Sequence, residues 1–430
     1  MLKKFLAACV IGLCLASPAW TSAAGITNYG GLVTSGYWTE HNQKGDQVIM
    51  DAAHIAAFNK KIRSTSRTVP DLVNYPAAVS GDSLKTKIMN YQVLEDDLYL
   101  HGNKVSENYK NILRRQTNIS GVPASVKVRY GVTVRRTPLR SLPTGEGLYY
   151  YSGDTHFDAL QETMLDPAEP VIVLHESANK FFYYVQAGNY SGWVSVYNIA
   201  LADKSSWLKY ADPKKFLVVT DANYVLKTGS ENVVYQLGSR LPVDAEQSAT
   251  FTVQAPVRRK DGTLGEMKLF IKKGNTSLHY GYLPYTSNNI VRSAFKFYGR
   301  PYGWGGLENS VDCSSLVYNA YRAVGIYLPR NADEQENTYG THYPMSGLSS
   351  ADRKALIAGL EPGTPLYMDG HVVIYIGQLN NTPYAIHALG SYFTNGQRHT
   401  AMKVVVSDLS LQRSSGKTFL DDLTTALSLK

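Results

Sequence analysis

Cysteine is nearly absent from this 430-residue chain: there are three, and Cys9 and Cys14 both fall within the first 24 residues. A disulfide framework is therefore excluded, and the cores must be held by packing alone. Long apolar runs are also missing. The most apolar stretch, Phe5 to Ala16, is shorter than the roughly 20 residues a membrane helix requires, and no later segment comes closer. Neither Cys-x-x-Cys nor His-x-x-x-His spacing occurs, so no metal or other cofactor is expected. The formal charge of +8 comes from Lys and Arg residues that are scattered rather than striped, which argues against nucleic acid as a partner.

What the chain does have begins with a leader. Lys3 and Lys4, the apolar stretch and Ser22-Ala23-Ala24 have the order of an export signal over residues 1–24. Leu6-Ala7-Ala8-Cys9 follows the lysines too closely to act as a lipid-attachment box. The mature protein is expected in the periplasm or cell-wall space, without a transmembrane segment and as a monomer. Its modest positive charge suits an anionic wall. Tyrosine is heavily used, 31 against 12 Phe, which suits half-buried strands and surfaces that bind sugars or peptides.

The fold expected is multidomain. Residues 25–123 read as a helical N-terminal segment, with Val48, Ala52, Ile55 and Phe58 on one face. Residues 124–204 and 205–285 alternate in short strands and read as two small all-β barrels. Residues 286–430 have an α+β pattern. It begins with a helix at 288–298, followed by the glycine turn 303–306, a helix at 314–324 and strands at 365–368, 371–376, 384–387 and 402–406.

Cys313 survives removal of the leader, and a lone thiol in an oxidising compartment needs a reason. It sits where a turn enters a helix, whose positive end favours the thiolate. His371 opens a strand directly after Asp369-Gly370, at a sheet edge that a thiol on a facing helix can reach. A neighbouring antiparallel strand would bring His387 beside it, to hold the imidazole in one tautomer. Tyr302 is placed to join the Cys313 N–H in stabilising an oxyanion.

Tyr302-Gly303-Trp304-Gly305-Gly306, Asp312-Cys313-Ser314-Ser315, Gly370-His371-Val372 through Gly377, and Ile386-His387 occur in the order found in NlpC-type cell-wall cysteine peptidases, which this chain resembles over residues 285–410. The resemblance implies a papain-like fold, a Cys–His–His site and cleavage of peptidoglycan stem peptides between γ-D-Glu and a diamino acid. The upstream half is similar to the subgroup with a stabilising N-terminal segment and two bacterial SH3-like barrels. There the first barrel walls the cleft, implying preference for a free N-terminal L-Ala. Asp312, Ser314 and Asn331 match substrate-holding positions, while Ala332 stands where the pattern usually has Ser or Thr. The alternatives are an N-acetylmuramoyl-L-alanine amidase and a non-catalytic wall-binding protein.

Overall fold

The structure, a computed structural model, describes residues 25–229 and 231–430. The expected leader lies outside these residues. The segment that follows mixes α-helices at Ser35–Glu40, Ala52–Thr65, Gly81–Ile88 and Glu107–Gln116 with turns and very short strands. The second of these helices starts later than its apolar spacing suggested. Asp51 stops it from extending back, because its carboxylate accepts the His54 N–H at 2.9 Å as an N-cap. Val48 therefore lies outside the helix and is 60% exposed, while Phe58 and Ile62 carry the buried face.

The next sheet is antiparallel, in the order Ile199–Ala202, Arg129–Thr133, Pro170–Glu176, Phe182–Gln186, Ser191–Ser195, Thr137–Arg140 and Gln161–Leu165. Val171, Val185, Val194 and Ile199 alternate inward and fill its core. A five-stranded sheet spanning residues 216–280 follows, with the hairpin Asn223–Thr228 and Glu231–Gln236 beside it. The helix Lys204–Ala211 joins the two sheets and buries Trp207 and Tyr210 in a cluster that both share.

The C-terminal part packs the helices Ser287–Phe295 and Cys313–Arg322 on one face of a seven-stranded sheet. The period-2 alternation of its central strands sorts their side chains onto two faces. Val372, Ile374, Ile386, Val404 and Val406 meet the helices. Val373, Ala385, Leu389 and Val405 meet a second layer that includes Leu411 and Phe419. The strands run longer than the sequence pattern indicated: His371–Leu379, Thr382–Thr394 and Gln397–Ser407. Leu423–Ser428 and Thr341–Pro344 extend one edge, and Ile26–Thr27 from the N-terminal segment closes the other. Among the described residues no helix is long and apolar enough to cross a membrane.

Candidate active site

Cys313 is the first residue of its helix, and the local sequence fixes that start. The Asp312 carboxylate accepts the Ser315 N–H, and the Ser315 hydroxyl accepts the Asp312 N–H, both at 2.9 Å. This reciprocal capping box satisfies two donors that would otherwise be orphaned. The preceding turn is wedged against the first barrel. Gly305 and Gly306 both have positive φ, and the Gly305 carbonyl accepts from Gln161 at 3.0 Å. A Cβ on Gly305 would sit 2.5 Å from the Gln161 side chain. Gly305→Ala is therefore expected to cost about 1–3 kcal/mol and to lower kcat as the turn shifts, measurable by calorimetry and initial rates.

The expectation of a resting thiolate is corrected. Burial, then the neighbouring Asp312 carboxylate, pushes the Cys313 thiol up to about 12, outweighing the Val372 and Ser314 N–H groups and Arg330. Cys313 is only half-buried, so water in the cleft moderates the burial effect. Val372, one of the groups that draw the thiol down, is the residue after His371 on the strand.

His371 and His387 share a sheet face, because Tyr375 pairs with Ala385 and both histidines lie an even number of residues away on their strands. His371 Nε2 is 2.9 Å from His387 Nδ1, and His387 Nε2 is 3.0 Å from Ser407 Oγ. The Phe419 ring stands edge-on to both imidazoles, with centroids at 5.6 and 5.7 Å. Burial, assisted by Arg413, pushes His371 down to about 3, and burial holds the fully enclosed His387 well below its usual range. Both rings are therefore neutral at rest.

An unfolded histidine titrates near 6.5, above the folded value for His371. This group's contribution to stability is full above about pH 6.5 and is lost as pH falls toward 3. Urea-unfolding midpoints should fall across that window, and less steeply in His371→Gln.

Tyr302 lies near the thiol. Burial, then Cys313 and Asp312, hold its phenol well above the ordinary range, so it stays protonated and able to donate. Its ring packs on Phe157 from the first barrel. Outside the site, His342 bonds the Glu336 carbonyl, and His399 stacks on Tyr392.

Asp312 and Ser314 are placed differently from what the resemblance implied. Arg330 makes a buried two-pronged contact with Asp312, at 2.5 and 3.2 Å, and donates to Ser314 Oγ at 2.8 Å. The Gly305 N–H also donates to Asp312, at 2.9 Å. With its oxygens taken up by these donors, Asp312 holds the protein together. Arg330 Nε also donates to Thr163 Oγ1 at 2.9 Å, tying the site to the first barrel. Asn331 lines a groove of about 620 Å³ with Glu162 and Tyr190, whose hydroxyl donates to Glu162 at 2.5 Å. Burial raises the Glu162 carboxyl above its usual value, against the Tyr190 hydrogen bond and Arg330.

Sequence reasoning did not single out Glu162, Tyr190, Arg330, Ser407 or Phe419. Of these, only Ser407 carries a local signal, as a polar residue closing the apolar run Val404-Val405-Val406. Among the described residues no group of three or more His, Cys, Asp or Glu side chains is arranged to hold a metal ion.

Residues 299–403 match the NlpC/P60 family, and residues 149–195 match the SH3 domain of the SH3b1 type. The structure resembles that of an NlpC/P60 endopeptidase from Photobacterium damselae subsp. piscicida, with a TM-score of 0.76 and 20% identity, covering 95% of this chain and 98% of that one. That likeness extends the shared fold over nearly the whole molecule. Dipeptidyl-peptidase 6 of Lysinibacillus sphaericus is 23% identical over 250 residues, 57% of this chain and 86% of the relative. The γ-D-glutamyl-L-lysine dipeptidyl-peptidase of Bacillus subtilis is 31% identical over 93 residues, 21% of this chain and only 30% of the relative. With a thiol at a helix start, an imidazole pair at the facing sheet edge and these matches, the chain carries an NlpC/P60 domain over residues 299–403 and is a cysteine peptidase.

Proposed function

We propose that this protein is an exported endopeptidase that hydrolyses the γ-D-glutamyl–diamino acid bond of peptidoglycan stem peptides. Cys313, His371, His387 and Tyr302 are its catalytic set. The observation that carries the reading is the hydrogen-bonded pair His371–His387, with Val372, the residue after His371, among the groups that act on the Cys313 thiol.

His371 Nε2 is engaged by His387, which leaves Nδ1 for the thiol. Cys313 Sγ attacks the γ-carbonyl carbon and its proton passes to His371 Nδ1. The Cys313 N–H and the Tyr302 hydroxyl donate to the oxyanion. Collapse breaks the C–N bond, and His371 returns the proton to the leaving amine. Water then loses a proton to His371 and attacks the thioester, which regenerates thiol and carboxylate. The neutral resting pair suits this sequence, since proton transfer accompanies attack rather than preceding it.

A free N-terminal L-Ala is the preferred start of the substrate. Asp312 is occupied by Arg330, and of the two carboxylates that line the groove Glu334 accepts from Thr68, while Glu162 stands beside Tyr190 and Asn331. A half-buried carboxylate stabilises an ammonium group and has nothing to offer a stem acylated by muramic acid. Glu162→Gln should raise KM for L-Ala-γ-D-Glu-diamino acid peptides about 10- to 100-fold with little change in kcat, read by steady-state kinetics.

Mass spectrometry of a digest of free and sugar-linked stems tests the whole reading. Release of L-Ala-D-Glu, faster from free peptides, supports it. Release of intact stem from sugar would replace it with amidase action.

A further inference from the structure

Tyr302 is hydrogen-bonded through its backbone. Its N–H donates to the Met402 carbonyl at 3.0 Å, and its main chain bridges to Val311. Among the described residues no hydrogen bond holds its hydroxyl. Two side-chain torsions therefore decide where the phenol O–H points, and packing of the ring has to fix them.

Part of that packing comes from another domain. Phe157, half-buried on the first barrel, sets its ring 5.9 Å from the Tyr302 ring and 5.6 Å from that of Trp304. The tip of the ring lies 3.7 Å from where a Cβ on Gly390 would stand, on the strand that carries His387. Phe157 thus fills the gap between the turn that follows Tyr302 and the histidine strand.

Phe157 is itself held on both sides. The Asp154 carboxylate accepts the His156 and Phe157 N–H groups, at 2.8 and 3.3 Å. The buried Asp158 carboxylate accepts from Arg140 at 2.7 Å and from the Leu148 and Leu160 N–H groups. The Asp158 carbonyl accepts the Trp304 indole N–H at 3.0 Å, which ties this segment to the turn.

We propose that Phe157 is a positioning residue for the reaction, holding the Tyr302 ring where its hydroxyl meets the oxyanion. The inference rests on Tyr302 acting as an oxyanion donor, and it deepens that reading by making the first barrel a contributor to rate as well as to binding. Truncating the Phe157 ring frees the Tyr302 torsions. A donor that wanders stabilises the transition state less, while the bound substrate loses little.

Phe157→Ala should lower kcat on L-Ala-γ-D-Glu-diamino acid peptides about 10- to 50-fold and leave KM within about twofold, with Phe157→Leu in between. Tyr302→Phe keeps the ring and removes the donor, so adding Phe157→Ala to it should cost less than about twofold more. A purely structural loss would persist in both backgrounds. One readout needs no substrate. In protein labelled with ¹³C-tyrosine, the ring signal that vanishes in Tyr302→Phe should shift or broaden in Phe157→Ala. Calorimetry of each variant establishes that it is folded.

Additive losses in the cycle, a raised KM with unchanged kcat, or an unmoved Tyr302 signal in folded Phe157→Ala would overturn the proposal. Wild-type kcat in Tyr302→Phe would overturn the donor reading and the proposal with it. A moved signal in a protein whose wild type cleaves no stem peptide would sink the peptidase reading and leave the packing of Tyr302 by Phe157 standing.

Discussion

Replacing His371 with alanine should lower kcat on a stem peptide by about 10⁴-fold, with KM within a few-fold and the fold intact. The size of the effect follows from the state of the thiol. Burial and the Asp312 charge push the thiol up, so attack depends on a base that removes the proton as the bond forms. Among the described residues His371 is the only imidazole adjoining Val372 at the strand start, and His387 is fully buried behind it. Its loss removes both the base for attack and the acid for departure of the amine. His387→Ala should cost less, about 10²-fold, because the base persists and only its orientation and tautomer are released. Steady-state kinetics on purified variants, with circular dichroism as the control for folding, separates the two. Equal losses in both would show that the imidazoles act as one unit.

Arg330→Met should destabilise the C-terminal domain by about 3–5 kcal/mol, read as a lower calorimetric transition. The pair it breaks is buried on both sides: Arg330 is 3% exposed and Asp312 is 5% exposed. Arg330, with the Ser315 N–H and hydroxyl contacts, holds the Asp312 carboxyl below its ordinary range against its burial. Removing the guanidinium strands that charge, and it also cuts the hydrogen bonds to Ser314 and Thr163. The double variant Arg330→Met with Asp312→Asn should recover part of the loss, because the stranded charge is gone while a capping oxygen remains. Since the helix that starts at Cys313 is capped by Asp312, the single variant should lose activity as well.

The sequence was most legible where chemistry is confined to short runs. Cys313 and His371 were reached from the thiol's isolation and a histidine at a strand start, and His387 from its spacing along a neighbouring strand. The central strands were visible as short apolar runs such as 371–376 and 402–406. Regularity beyond such runs was not visible. The strand Leu423–Ser428 reads Leu-Thr-Thr-Ala-Leu-Ser, a pattern too weak to mark a strand that is buried by its neighbours on both sides. The start of the helix Ala52–Thr65 turned on the Asp51 cap rather than on apolar spacing.

Long-range partnership was the other gap. Arg330 and Asp312 are 18 residues apart, and Arg330 meets Thr163 across 167 residues. No local pattern encodes such contacts, which is why the resemblance cast Asp312 as a substrate ligand and nothing in the sequence pointed to Glu162. The thiol's resting state was misjudged for a related reason. A helix start was visible in the sequence, while the burial and the Asp312 charge that outweigh it depend on tertiary packing.

The most direct test is digestion of L-Ala-γ-D-Glu-diamino acid peptides by the wild type and by folded Cys313→Ala, with products identified by mass spectrometry. L-Ala-D-Glu from the wild type and none from the variant is the predicted result. Equal cleavage by both proteins would contradict the assignment of the sulfur at position 313 as the nucleophile.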